Sequence, residues 1–331
     1  MRPDKTPDHD EPGDEVGGAR QPPGPHPPIF DPDDVAAFDA GKDEDEDEVD
    51  IDDDALPEPI EDAGEDEDED EDDMGIDDEA LPEAIEEEPR TVLITGASGN
   101  IGRKLRTAWA DVYDLVLIDE AAPPDDPDVI VADLRVLDDD WITHFHGVDT
   151  VVHLAANSNE LAPWEELIGP NLDALANVFH AAALAGVERV IFASSSHVMG
   201  DYQSLPDGPI SVNMKPMPDG PYGVTKLVGE RLGRSLARAF DLTFIALRLG
   251  WIQEGKNRPD TLPHDWARRM WLSNADLIQL FDCAVEAEIE DRSFVLVHGM
   301  SRNHGMRWDL SGAAELLGYL PKDDAFAEGR G

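Results

Sequence analysis

From Thr91 onward, short apolar runs alternate with longer segments of helical periodicity. The runs are TVLIT (91–95), DLVLIDE (114–120), VIVAD (129–133), VDTVVHLAA (148–156), RVIFASSS (189–196) and LTFIALRLG (242–250). Each is continuous rather than alternating, which predicts strands covered on both faces. Between them, helical segments reach to about Ala110, open at GPNLDALANVF and run through GPYGVTKLVGERLGRSLARAF. Such alternation predicts an α/β fold, a doubly wound parallel sheet with right-handed crossovers. Ligands of such sheets lie beyond the carboxyl ends of the strands, so the residues that close each run are the candidates for chemistry.

Residues 1–90 carry no such pattern. They hold 39 of the 75 acidic residues against five basic ones, a net charge of −34 out of −50. A segment this polar and this charged buries too little apolar surface to offset the entropy of ordering, and it reads as an acidic, disordered leader. Its one sign of organisation is a 25-residue repeat, IDDDALPEPIED at Ile51–Asp62 returning as IDDEALPEAIEE at Ile76–Glu87. Two readings stand side by side: a solvating tail, or two short motifs that dock a basic partner through Ile51, Leu56 and Ile60 and through Ile76, Leu81 and Ile85. The remaining 241 residues, 91–331, carry −16 and suit one domain with a small substrate-binding region, mainly 251–331.

Charge and composition narrow the partners. An acidic chain lacks the basic footprint that nucleic acid or an anionic membrane surface demands, and neither is expected. No apolar stretch approaches membrane-spanning length, and the first residues, MRPDKTPDHD, lack the apolar core of a signal peptide, which places the chain in the cytoplasm. Cys283 is the only cysteine; its setting in LIQLFDCAVEA reads as a buried helix position, and no metal site is expected. His153 reads as a buried strand-end histidine rather than a ligand, and Trp164, Trp271 and Trp308 as packing residues.

Chemistry enters at the first strand end. TGASGNIGRKL places Gly96, Gly99 and Gly102 between a strand and a helix. There, absent side chains let the backbone approach a pyrophosphate, while the helix N-terminus offers free amides and positive dipole. Asp119 closes the second strand, 17 residues after Gly102, and is placed to accept from the adenosine ribose hydroxyls. A carboxylate there repels a 2′-phosphate and favours NAD over NADP, although Arg103 beside the loop argues the other way. Asp133 and Leu134 suit an adenine pocket, with a carboxylate for the exocyclic amine and an apolar wall.

Tyr222 and Lys226 stand four apart on a predicted helix, which stacks them on one face, and Ser195 lies near the end of the fifth run, 27 residues before the tyrosine. Moving a hydride from an alcohol carbon requires a base for the hydroxyl proton. A phenol at its ordinary pKa of ~10 needs roughly 4 kcal/mol of preferential phenolate stabilisation to act near neutrality. Lys226 is the candidate source of that stabilisation, Ser195 the group that orients the substrate oxygen, and Asn171 the holder of a water that links Lys226 to solvent.

With TGASGNIG, Asp119, Asp133-Leu134, HLAA at His153–Ala156, the Ser195 segment and YGVTK in this order, residues 91–331 resemble the extended short-chain dehydrogenase/reductase superfamily, whose fold is of Rossmann type. The resemblance implies that Ser98, Asn100, Ile101, Leu154, Ala155 and Ala156 line the cofactor beside the glycines, and that Tyr222 and Lys226 contact it too. About 105 residues follow Lys226, few for holding a nucleotide-linked sugar, so a small sugar is implied as substrate.

SSSHVMG, ELAPWEELIGPN (160–171), RRMWLSNADLIQLFDCAVEA (268–287) and the segment 298–328 resemble uronate dehydrogenases and archaeal NAD-dependent glucose-6-phosphate dehydrogenases. These oxidise the anomeric carbon of a sugar to a lactone. The resemblance makes Ser158, Ser195, Ser196 and His197 sugar contacts, with Ser196 standing where the family has Asn. It also places Trp266 where uronate dehydrogenases carry a carboxylate-binding Arg, which leaves Arg268 and Arg269 as the nearby candidates. A homo-oligomer is expected. The rivals are a nucleotide-sugar epimerase or dehydratase with retained NAD, and a non-catalytic NAD-binding sensor or scaffold that works through the leader.

Overall fold

A computed structural model describes residues 89–124, 126–206, 208–289 and 294–327. The leader and its repeat lie outside the described residues. Parallel strands β1 (Thr91–Thr95), β2 (Asp114–Asp119), β3 (Val129–Val131), β4 (Thr150–His153), β5 (Arg189–Ser195), β6 (Thr243–Leu249) and β7 (Phe294–Gly299) form one sheet in the order β3-β2-β1-β4-β5-β6-β7. The order reverses between β1 and β4, which leaves a crevice at their carboxyl ends.

Alternate residues of each strand feed two separate cores, which is why the runs are continuous. Val92, Ile94, Val152, Ile191, Ile245 and Leu247 face a cluster closed by Leu105 and Trp109 of α1 (Asn100–Trp109), together with Leu277, Leu280 and Phe281 of α7 (Asn274–Glu286). Leu93, Val151, Val190, Phe192, Phe244 and Ala246 face the other. That cluster is closed by Trp141 of α2 (Asp139–Ile142), by Leu175, Val178 and Phe179 of α4 (Ala174–Ala185), and by Leu236 of α5 (Pro221–Ala239). Helices α3 (Trp164–Ile168), α6 (Asp265–Arg269) and α8 (Ser311–Leu317) are short.

Three departures from the sequence pattern have physical causes. Strand β3 stops at Val131 and β4 at His153, because beyond those points the chain leaves the ladder to line the crevice: at Gly96, a Cβ would stand 2.7 Å from the Ala155 amide nitrogen. The run FVLVHG, β7, was not anticipated, because as an edge strand paired only with β6 it is less completely buried than the central ones. Region 251–331 contributes α7 and β7 to the main sheet as well as loops beside the crevice.

Helix α5 seats closely on β5 and β6. A Cβ at Gly229 would stand 2.5 Å from the Phe192 ring and one at Gly233 2.2 Å from the Phe244 ring. This close approach sets Tyr222 and Lys226 at the carboxyl edge of β5.

Candidate active site

The crevice is a cleft of about 1250 Å³, lined from Gly96–Gly102 at one side to Tyr222, Trp251 and Met270 at the other. Its glycine loop is tightly constrained. Gly96 has φ +72°, and a Cβ on Gly102 would lie 2.3 Å from the Gly96 carbonyl oxygen. Gly99 caps α1 without any side-chain hydrogen bond, so the first-turn amides are free for an anion. Ser98 Oγ is buried with no partner among the described residues, an orphaned donor in the loop. Asp119 accepts from the Ser98 amide at 2.8 Å and from the Ala121 amide at 3.3 Å, which fixes its carboxylate at the loop. Free amides, an orphaned hydroxyl and an oriented carboxylate together fit a dinucleotide.

Neighbouring side chains are more committed than sequence suggests. Arg103 is hydrogen-bonded to the Ser98 carbonyl and braces the loop. Asn100 donates to the Ile252 carbonyl at 3.3 Å. Asp133 grips Arg135 through both of its oxygens, at 2.7 and 2.9 Å, and the arginine holds its carboxyl below the usual carboxylate range. Ile101, Leu134, Leu154, Ala155 and Ala156 all line the cleft.

At the far side, Tyr222 and Lys226 lie on one face of α5, as their spacing requires, and Ser195 meets the tyrosine from the end of β5. Burial is the main influence on the phenol, opposed by a hydrogen bond with Ser195 and reinforced by the charge of Glu160. The phenol is pushed up to about 12. Lys226, 5% exposed, donates to the Ala193 carbonyl at 2.9 Å and lies 5.6 Å from the centre of the tyrosine ring. Burial lowers its amine to about 8. The lowering of the phenol expected from Lys226 is not seen: burial raises it, and the hydrogen bond with Ser195 is what opposes that rise.

Asn171 is held from several sides. It lies in a π-helical turn, Gly169–Asp173, that leads into α4. Its amide is engaged on both sides: it accepts from the Asn157 amide at 2.8 Å and donates to the Asn157 carbonyl at 3.1 Å and to Thr225 Oγ1 at 3.2 Å. Both N–H donors are used, so Asn171 ties the 157–159 loop to α5, and its Oδ1 keeps one lone pair for a further donor.

His197 is also fully engaged. Its Nδ1 meets Asp219 at 2.8 Å and its Nε2 meets Glu160 at 2.8 Å, while its ring stands edge-on to Tyr222 at 5.7 Å. Burial works to lower its pKa, but the two carboxylates win and raise it. Ser158 and Ser196 line the same end of the cleft.

Arg268 and Arg269 are not brought there. Arg268 donates to the Ala325 carbonyl at 2.9 Å and covers the Phe326 ring at 4.5 Å, pinning the C-terminal segment. Trp266 packs at a tilt against Trp308, ring centres 4.8 Å apart, in an apolar cluster. Trp271 and Trp308 are buried as expected, whereas Trp164 is exposed. His153 bonds Thr95 Oγ1 at 2.8 Å and is held neutral by burial, at about 3. Cys283 is half-buried in α7, and burial pushes its thiol up, away from reactivity. Sequence reading passed over Glu160 and Asp219, loop acids with no periodic signal. Among the described residues no cluster of His, Cys, Asp and Glu could hold a metal, and no helix is long and apolar enough to cross a membrane.

A doubly wound parallel sheet with a glycine loop at its switch point and a Ser, Tyr and Lys set across the crevice defines an NAD-dependent oxidoreductase of Rossmann type. The chain belongs to the NAD-dependent epimerase/dehydratase family, whose model matches residues 92–265, and its cofactor is NAD. It is 33% identical over 255 residues to an NAD-dependent glucose-6-phosphate dehydrogenase of Haloferax volcanii, covering 71% of this chain and 94% of the relative. To an L-arabinose 1-dehydrogenase (NAD(P)(+)) of the same organism it is 33% identical over 251 residues, covering 71% and 97%. The crystal structure of uronate dehydrogenase from Agrobacterium tumefaciens superposes with a TM-score of 0.61 at 30% identity, covering 71% of this chain and 85% of that one.

Proposed function

We propose that this enzyme oxidises a small sugar at its anomeric carbon to the lactone, with Tyr222 as the base. The observation that carries the reading is the contact of Tyr222 with Ser195 directly above the buried Lys226, across the cleft from the glycine loop. Gly96, Ser98, Gly99 and Gly102 hold the pyrophosphate in this reading, Asp119 the adenosine ribose, and Leu134 the adenine.

Ser195 donates to the anomeric oxygen and orients it. Tyr222 receives the hydroxyl proton as the carbonyl forms, and Lys226, with its ammonium beneath the ring, stabilises the phenolate. NAD, when bound, would supply the hydride acceptor. Asn171 positions the 157–159 loop against α5.

The test is NADH absorbance with a panel of aldoses, uronates and sugar phosphates. Sustained NADH release is expected, and Tyr222→Phe should lower kcat by roughly 10²–10⁴ with an unchanged melting temperature. NAD that copurifies and never turns over with free sugars would instead indicate an epimerase or dehydratase.

A homo-oligomer is part of the same reading. Val224 and Val228, one turn apart on α5, and Trp164 and Ile168 of α3 leave apolar surface exposed. Light scattering should give a multiple of the 36.2 kDa chain mass, reduced to that mass by Val228→Glu.

A further inference from the structure

Resting on the dehydrogenase reading, we infer that the sugar end of the cleft is built for an uncharged sugar, and that Glu160 and Asp219, acting through His197, set this preference. Among the described residues, the cationic side chains lining the cleft are Arg135, His197 and Lys226, and each is already committed. Arg135 is held bidentate by Asp133 beyond β3, three strands from β4 and at the nucleotide end. Lys226 lies below Tyr222 on the Ala193 carbonyl.

His197 alone stands where the sugar must sit, beside Tyr222, and it is bracketed by two carboxylates at 2.8 Å. Even with its imidazole protonated, the trio is net negative.

The bracket is built in rather than incidental. Asp219 rests on Gly200, where a Cβ would lie 2.0 Å from its Oδ2, so the residue at position 200 must be glycine for the carboxylate to reach the histidine. Once a carboxylate or phosphate entered, it would meet Glu160 with no uncommitted cation among the described residues of the cleft to answer it, and an unpaired anion in a partly desolvated cleft is disfavoured. Hydroxyl groups face no such penalty. Glu160 is an acceptor for sugar hydroxyls, and Ser158 and Ser196 both donate and accept.

The experiment compares sugars that differ only at C6: D-galactose, D-galacturonate and D-galactose 6-phosphate, with L-arabinose, which lacks C6. The neutral sugars should exceed both anions in kcat/KM by about tenfold or more at low ionic strength. The gap should narrow in ~1 M salt, where the screening length falls to about 3 Å, and in Glu160→Gln. An anionic sugar that is preferred, or a ratio indifferent both to salt and to Glu160→Gln, overturns the inference. If no sugar yields NADH, the dehydrogenase reading fails first. Calorimetric binding of the same sugars to the NADH complex then decides this one, because tighter binding of the neutral members keeps it, and tighter binding of the anions or no binding at all removes it.

Discussion

Lys226 shows what a single residue gives up to serve a site. Its amine is buried and lowered to about 8, against an ordinary 10.5. A depressed lysine is a cost to the fold below pH 8, where the native state must hold a proton in poor solvent. Between 8 and 10.5 the unfolded chain binds the proton that the native state has released, so stability rises with pH through that window. Lys226→Met should therefore raise the melting temperature relative to the parent more at pH 7 than at pH 10, while losing dehydrogenase activity at both. Thermal melts at the two pH values check this, and a difference independent of pH would contradict the burial argument.

At the scale of elements, two segments carry opposite lessons. The turn between β1 and α1 depends on absent side chains. In Gly102→Ala, the new Cβ would lie 2.3 Å from the Gly96 oxygen and 2.7 Å from Ala97 Cα, against backbone that cannot move aside. NADH affinity, followed by fluorescence, is expected to fall by at least about a hundredfold, or 2.7 kcal/mol. Strand β7, by contrast, holds His298 fully buried with both ring nitrogens unpartnered among the described residues, and burial lowers its pKa to about 3. Below pH 6.5 the unfolded chain takes up a proton that the native imidazole refuses, at about 1.4 kcal/mol per pH unit. His298→Leu is expected to stabilise the protein, and by more at pH 5 than at pH 8 in denaturant titrations.

For the whole molecule, the charge partition is the dominant fact: −34 of the −50 precedes residue 91. Among the described residues the sheet and both of its cores are closed by segments from Thr91 onward. We expect a chain lacking residues 1–88 to fold and to reduce NAD with unchanged kcat/KM. Impaired catalysis would assign the leader a role in the site. Loss of a binding partner with intact catalysis would favour the docking reading of its repeat.

The strand-loop-helix-strand unit from Thr91 to Asp119, the two-faced sheet and the Ser195, Tyr222 and Lys226 set were all legible in the chain. Each is encoded by local spacing: a run that ends in glycines, residues four apart on a helix, a polar residue at a strand end. Edge strand β7 and the positions of Glu160 and Asp219 were not, since a sparse pattern or a loop acid has meaning only once another segment stands opposite. Sequence by itself thus determined the fold and the side chains that the cleft brings together. Only the tertiary structure decided their electrostatic state: a phenol raised rather than lowered, Arg268 turned away to the C-terminal segment, and a histidine held between two carboxylates. The reason is that desolvation and charge pairing act through space, between residues whose distance along the chain says nothing of their separation in the fold.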